Sequence, residues 1–222
     1  MKYIKKTMNL ESLKKKKKQS KFIYEISKRC FDLIASITAI VVFSPLFLII
    51  AIIVKLDSKG SVFFVHERLG KDGKKIKVYK FRTMVTYAQQ ILNDMPDIMK
   101  KEFEENFKFE NDPRVTKLGK FLRQSSLDEL PQLINIIKGD MSVVGPRPIV
   151  VKEIKKYGEY REKLLTIKPG LTGNWQVSGR SDTTYEERVK FDMDYIDARS
   201  FRNDMEIILK TVGVVLKKVG AK

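Results

Sequence analysis

Hydrophobic positions run unbroken through one stretch of the chain and are periodic elsewhere. From Leu33 to Val54 (LIASITAIVVFSPLFLIIAIIV) no side chain is charged. As an α-helix this run is about 33 Å long, enough to cross the hydrocarbon layer of a bilayer. Ser44-Pro45 lies in its middle, and a proline there removes a backbone hydrogen bond and crowds the preceding turn, which predicts a kink. The run starts too deep and lacks the small-residue cleavage site of a signal peptide. Beyond it, Ser61 to Arg68 and Lys75 to Thr83 read as two strands. Lys71-Asp72-Gly73-Lys74 joins them with the Asp-Gly pair of a tight hairpin. On the second strand Ile76, Val78, Lys80 and Arg82 share one face. The period then becomes helical. A polar stretch over 85–110 is interrupted near Pro96, and Val115 to Leu122 form a short basic helix. Leu130, Leu133, Ile134 and Ile137 make an apolar stripe that ends at Gly139. Pro169 to Gly179 read as loop, rich in Gly, Thr and Asn. At the end Ile208, Val212, Val215 and Val219 line one face while Lys210, Lys217 and Lys218 lie off it. That basic amphipathic helix suits a membrane interface or plain core packing equally well.

This pattern divides the chain into a basic arm (1–23), a membrane segment (24–58) and a compact unit (59–222). A chain of 222 residues is long enough to bury a sizeable core. Lys plus Arg number 44 against 27 for Asp plus Glu, a formal net charge of +17, which calls for an anionic partner such as lipid, nucleic acid or a phosphorylated substrate. The unbroken block Lys14 to Lys18 reads as a solvated, unstructured tail or as an arm drawn to anionic lipid. Basic residues also sit on both sides of the apolar run: Lys21, Lys28 and Arg29 before it, Lys55, Lys59 and Arg68 after it. Basic flanks prefer the cytoplasmic side, so a hairpin that dips in and returns fits both better than a spanning helix does. A single cysteine, Cys30, excludes an internal disulfide framework, and a single histidine, His66, excludes a Cys/His zinc cluster. Acidic metal sites remain open.

No Walker loop, dinucleotide-binding glycine motif or serine elbow is present. The densest chemistry is Ser125-Ser126-Leu127-Asp128-Glu129-Leu130-Pro131. Ser126 with Glu129 matches a capping box, which would make both side chains helix-start devices. Pro131 fits better with Asp128 as the cap, because its missing N–H is then an orphan in any case. In either register the carboxylates lie at the positive end of a helix, where the ionised form is favoured. An ionised aspartate is also a competent nucleophile toward phosphorus. Arginine stands in rigid turns at Gly145-Pro146-Arg147-Pro148 and Ser178-Gly179-Arg180. Its planar fork there suits bidentate phosphate binding, or simply faces solvent. Lys80 and Arg82 carry the same two readings. His66 reads as an ordinary strand residue, Cys30 as a small hydrophobe at the membrane boundary, and Trp175 as packing.

Taken together, the strings resemble the bacterial sugar transferase family, the monotopic polyprenyl-phosphate phosphoglycosyl transferases. They are Lys28-Arg29-x-Phe31-Asp32, Ser44-Pro45, Tyr79-Lys80-Phe81-Arg82-Thr83-Met84, Ser126-Leu127-Asp128-Glu129-Leu130-Pro131-Gln132-Leu133, Lys138-Gly139-Asp140-Met141-Ser142, Val144-Gly145-Pro146-Arg147-Pro148 and Lys168-Pro169-Gly170-Leu171-Thr172-Gly173. They cover residues 24–216. The strings around Phe107 to Arg114, Trp175 to Asp182 and Tyr185 to Arg188 are similar to the hexose-transferring branch, which acts on undecaprenyl phosphate with galactose or glucose.

The resemblance implies an α+β fold, mostly helical. It would have an N-terminal re-entrant helix-break-helix at Ser44-Pro45, a small β-hairpin, amphipathic interfacial helices and a compact catalytic domain on the cytoplasmic face of the bacterial inner membrane. It implies that Asp128 is the nucleophile, Glu129 its acid/base partner and the pair a Mg²⁺ site, with phosphate-handling roles for Lys80, Arg82, Arg123, Arg147 and Arg180. The implied reaction moves hexose-1-phosphate from a UDP-sugar to undecaprenyl phosphate through an aspartyl intermediate and releases UMP, as the first membrane step of a glycan assembly. Membrane lipid is then a partner and nucleic acid is not; a homodimer stays open, as does the identity of the sugar. Larger relatives carry a multi-spanning N-terminal half that these residues lack, and Asn174 stands where the family pattern has an apolar residue. The alternative is a non-catalytic basic membrane-anchored scaffold that binds anionic lipid or nucleic acid. It accounts for the charge but not for the Asp128-Glu129 pair, and the Lys14 to Lys18 block has no interleaved aromatics.

Overall fold

The computed structural model describes residues 21–97, 99, 100, 109, 112–179 and 183–217, with Gln19 and the helical backbone of residues 2–20. The side chains of Lys14 to Lys18, and all of Arg180, lie outside the described residues. Helix α1 (Lys2–Asp57) takes in both the basic arm and the apolar run, so the backbone expected to be an unstructured tail is helical. Helical bonding continues through Pro45. The proline cannot donate to the Val41 carbonyl one turn back, and the Ser44 hydroxyl donates to that carbonyl instead, at 2.8 Å. Lys21–Asp57 is the one helix among the described residues long and apolar enough to cross a membrane.

From Tyr24 to Val54, one face of α1 packs on the rest of the molecule. Near its start the Tyr24 hydroxyl and the Lys28 ammonium donate to Asp204 Oδ2 at 3.0 and 2.8 Å. Arg29 donates to the Ile136 and Ile137 carbonyls at 2.6 and 2.8 Å, and Asp32 accepts from Ser142 Oγ and Val143 N. Beyond Pro45, Ile50 and Val54 are buried in a cluster with Phe81 and Leu122. The opposite face leaves Ile34, Val41, Leu48, Ile52 and Leu56 exposed.

Strands β1 (Phe63–Leu69) and β2 (Lys75–Phe81) pair antiparallel from Phe63↔Phe81 to Leu69↔Lys75. Asp72 (φ 58°) and Gly73 (φ 73°) turn the chain between them in the primed geometry that matches strand twist. Helix α2 (Ala88–Asp94) stops before Pro96. Helix α3 (Lys117–Gln124) is capped by Thr116 Oγ1, which accepts from Gly119 N at 2.9 Å. Helix α4 (Gln132–Lys138) ends on Gly139 at φ 87°. Leu133 and Ile136 of α4 lie under the hairpin, in a core with Ile76, Val78 and Met141.

The expected stripe on α4 is shifted. Ile134 is exposed, whereas Gln132 and Asn135 are buried. Asn135 acts as a surrogate peptide for β2, accepting from Tyr79 N at 3.0 Å and donating to the Lys77 carbonyl at 2.7 Å. The stretch read as loop contains structure of its own. Strand β3 (Ser142–Val144) pairs in parallel with β4 (Gly170–Thr172), and helix α6 (Asn174–Val177) follows. Between β3 and β4 lie a 3₁₀ segment (Val151–Tyr160) and helix α5 (Arg161–Leu164). Helix α7 (Tyr185–Ala198) opens with a capping box of Thr184 and Glu187. Helix α8 (Phe201–Lys217) buries Ile207 and leaves Leu209, Val212 and Leu216 exposed, while Lys218 and Val219 of the expected pattern lie outside the described residues.

Candidate active site

Asp128 and Glu129 lie in a 3₁₀ turn, Leu127–Glu129, between α3 and α4. Neither capping register is realised. Ser126 adopts left-handed backbone (φ 58°, ψ 15°) without a side-chain cap bond, and α4 starts only after Pro131. A non-glycine residue in that conformation is costly, and such strain tends to gather where it serves a site. Helix α3 presses so close to the end of β2 that a Cβ on Gly119 would lie 2.0 Å from the Thr83 carbonyl oxygen. This approach lets Arg123 Nε donate to Thr83 Oγ1 at 2.9 Å.

Asp128 is buried beside three cations. Lys80 Nζ is 4.0 Å from Asp128 Oδ2 and 2.6 Å from Glu129 Oε1, and Arg147 Nη1 is 3.4 Å from the same Glu129 oxygen. Burial pushes the Asp128 carboxyl up to about 6, opposed by Lys80, Arg123 and Arg147 and reinforced by Glu129. A buried carboxyl perturbed in this way beside specific charge partners in a cleft is a candidate reactive group. Lys80, Glu129 and Arg147 line a narrow cleft with Arg68, Gln132, Gln176 and residues Gly170 and Leu171 of β4.

Of the residues singled out in the sequence, Lys80, Arg123, Asp128, Glu129 and Arg147 converge on this place. Arg82 does not. Its guanidinium caps the end of α1, donating to the carbonyls of Val54, Ser58 and Lys59 at 3.0, 2.6 and 3.0 Å. The strand expected to run to Thr83 ends at Phe81, so Arg82 lies beyond β2 and reaches the end of α1 rather than the cleft. Asn174 donates to the Phe191 carbonyl at 3.2 Å, and so joins α6 to α7 rather than facing a ligand. Trp175 is flanked by the guanidinium groups of Arg147 and Arg188, 5.9 and 4.7 Å from its ring centroids. Arg68 entered only as a basic flank, and Gln132 and Gln176 only within family strings, none of them as a site residue. For Arg68 the signal was available, because the hairpin register sets Arg68 opposite Ile76 and His66 opposite Val78, on the face that carries Lys80.

Among the described residues no cluster of three or more His, Cys, Asp or Glu could hold a metal. Two adjacent carboxylates still fit Mg²⁺, which is commonly held by one or two carboxylates with substrate phosphates and water completing the octahedron.

Residues 23–218 match the bacterial sugar transferase family. The chain is 45% identical over 208 residues to the undecaprenyl-phosphate galactose phosphotransferase of Salmonella typhimurium, a match covering 92% of this chain and 43% of that protein. It is 46% identical over 199 residues to the exopolysaccharide production protein ExoY of Rhizobium meliloti, covering 88% of each. With the UDP-glucose:undecaprenyl-phosphate glucose-1-phosphate transferase of Escherichia coli it shares 40% identity over 86% of this chain and 40% of the relative. The chain thus spans less than half the length of several relatives and most of another. By the extent of these matches, the chain belongs to the bacterial sugar transferase family.

Proposed function

We propose that the protein transfers hexose-1-phosphate from a UDP-sugar to undecaprenyl phosphate at a membrane surface, in the assembly of a polysaccharide. The observation that carries this reading is the buried Asp128 with the half-buried Glu129 beside it, walled by Lys80, Arg123 and Arg147. Cations so arranged suit two phosphorylated substrates meeting at one carboxylate. In the first step Asp128 Oδ attacks the β-phosphorus, an Asp–O–P bond forms, the bond to the bridging oxygen breaks, and UMP leaves with that oxygen. In the second, an oxygen of undecaprenyl phosphate attacks the same phosphorus and Asp128 departs as a carboxylate. Glu129, fixed by Lys80 and Arg147, takes any proton from the acceptor phosphate. A Mg²⁺ held by the pair with the donor's phosphates would neutralise charge at the transferring phosphorus.

The contacts of α1 support a re-entrant arrangement, with the catalytic unit on the cytoplasmic face. Lys28 and Arg29 on one side of Pro45, and Val54 and Ser58 on the other, bond to the same folded unit. A straight crossing would pull one of these groups through the bilayer. Each is charged or is the acceptor of a charged group, so the dip-and-return path is favoured.

The test uses the full chain in detergent or nanodiscs, a panel of UDP-sugars, undecaprenyl phosphate and Mg²⁺, with UMP release as readout. Asp128→Asn is nearly isosteric, and the expected result is a fall in rate of several orders of magnitude with folding intact. The native chain, given labelled donor without acceptor, is expected to retain sugar phosphate covalently; the variant is not. Near-native turnover by folded Asp128→Asn would remove the nucleophile from this scheme.

A further inference from the structure

Arg68 has no part in the scheme above, yet it lines the same cleft as Lys80, Glu129 and Arg147. It leaves β1 and is fixed from behind. Its Nη1 donates to Glu153 Oε2 at 3.4 Å, and its Nη2 donates to His66 Nδ1 at 3.2 Å. His66 can accept there because burial and its cationic neighbours lower its pKa to about 4, leaving the ring neutral at ordinary pH. Burial and the nearby Arg147 lower the Arg68 pKa to about 10, so the guanidinium remains charged.

Glu153 is built into place. It is 6% exposed, and its Oε2 also accepts from Val150 N at 2.9 Å, in the first turn of the 3₁₀ segment. Its Oε1 accepts from Arg188 Nη1 at 3.3 Å, and the Arg188 guanidinium stacks on the rings of Trp175 and Tyr185 at 4.7 and 5.1 Å. The result is a buried Arg–Glu–Arg row that ends at the cleft. A row of this kind is weak as a stabilising device, since well-packed apolar side chains often serve stability as well or better. It does aim a guanidinium. Arg68 has five N–H donors, and two hydrogen bonds engage it, so most of the fork is left for a ligand. The cleft wall then carries Arg68, Lys80 and Arg147 against Glu129, an excess of positive charge that favours an anion.

We propose that Arg68 is a further phosphate ligand of the cleft, and that Glu153, backed by Arg188, is its positioning residue. The inference rests on the transferase reading for the identity of the phosphate, which belongs to the nucleotide-sugar donor or to the lipid acceptor. The site itself is tested without turnover. Binding of inorganic pyrophosphate to the full chain is measured by calorimetry for the native protein, Arg68→Gln, Arg68→Lys and Glu153→Gln. The expected loss is about tenfold or more for Arg68→Gln, the size of one charged hydrogen-bonding group. Arg68→Lys recovers part of it, because the charge stays while the fork is lost. Glu153→Gln weakens binding less than Arg68→Gln. Steady-state UMP release then identifies the source: Arg68→Gln raises the KM for the donor if the phosphate is the donor's, and for undecaprenyl phosphate if it is the acceptor's. Pyrophosphate binding by the native chain no tighter than by Arg68→Gln overturns the proposal. If Arg68→Gln does not fold, Arg68→Lys decides the matter, and native-like affinity in that variant overturns it. A native chain that binds pyrophosphate through Arg68 but releases no UMP from any donor would instead sink the transferase reading and leave this site standing.

Discussion

Asp192 is buried at 1% exposure, accepts from the Tyr157 hydroxyl at 2.7 Å, and has its pKa pushed up to about 6 by desolvation, against the pull of Arg188. An unfolded aspartate titrates near 3.9, so the native state binds the proton more tightly than the unfolded chain does. The stability from this group is therefore complete below about pH 4 and is lost as pH rises through about 6. Asp192→Asn removes that loss. Its stability relative to the native chain, from denaturant unfolding in detergent, is expected to rise between pH 4 and 7; a flat difference would refute the assignment. Individual residues were unevenly legible in the sequence. The convergence of Lys80, Arg123, Asp128, Glu129 and Arg147 matched positions marked by chemistry and family pattern. Arg82 did not converge, because β2 ends at Phe81 and the residue after it meets the carbonyl end of α1 instead. The capping box at Ser126 and Glu129 failed: the motif is local, whereas Ser126 takes left-handed backbone and α4 begins only after Pro131.

At the scale of elements, the pair Ser44 and Pro45 replaces a backbone bond with a side-chain bond inside an apolar helix. Ser44→Ala should orphan the Val41 carbonyl at a cost of about 1–3 kcal/mol. Pro45→Ala restores a backbone donor, so in a double-mutant cycle Ser44→Ala is expected to cost much less when Pro45 is already alanine. Additive effects would show that the hydroxyl and the proline are independent. The hairpin was readable in advance, because Asp72-Gly73 and a period of two leave little choice of turn or register. Helix α4 was readable in extent but not in facing. Hydrophobic periodicity assigns polar residues to solvent, whereas Asn135 is buried to satisfy an edge of β2 and Gln132 to line the cleft. The parallel pair β3–β4 is three residues long on each side, too short for any periodic signal. Its trace was the glycines: a Cβ on Gly170 would lie 2.1 Å from Gly145 N, so only glycine allows these backbones to meet.

For the whole molecule, the contacts at both ends of the apolar segment predict that positions 20 and 70 share one side of the membrane. Single cysteines there, in a Cys30→Ser background, are expected to react alike with an impermeant thiol reagent on intact cells. Labelling at one position alone would establish a crossing helix. The exposed apolar residues of α1, with Leu209, Val212 and Leu216 exposed on α8, have a kinetic corollary. Under the proposed function, such a surface would confine the protein to two dimensions, in the same bilayer as its polyprenyl acceptor. Encounter then depends on how many acceptor molecules there are per lipid, not per litre. Diluting vesicles with buffer should leave turnover per protein nearly constant, whereas diluting the acceptor with inert lipid should slow it in proportion.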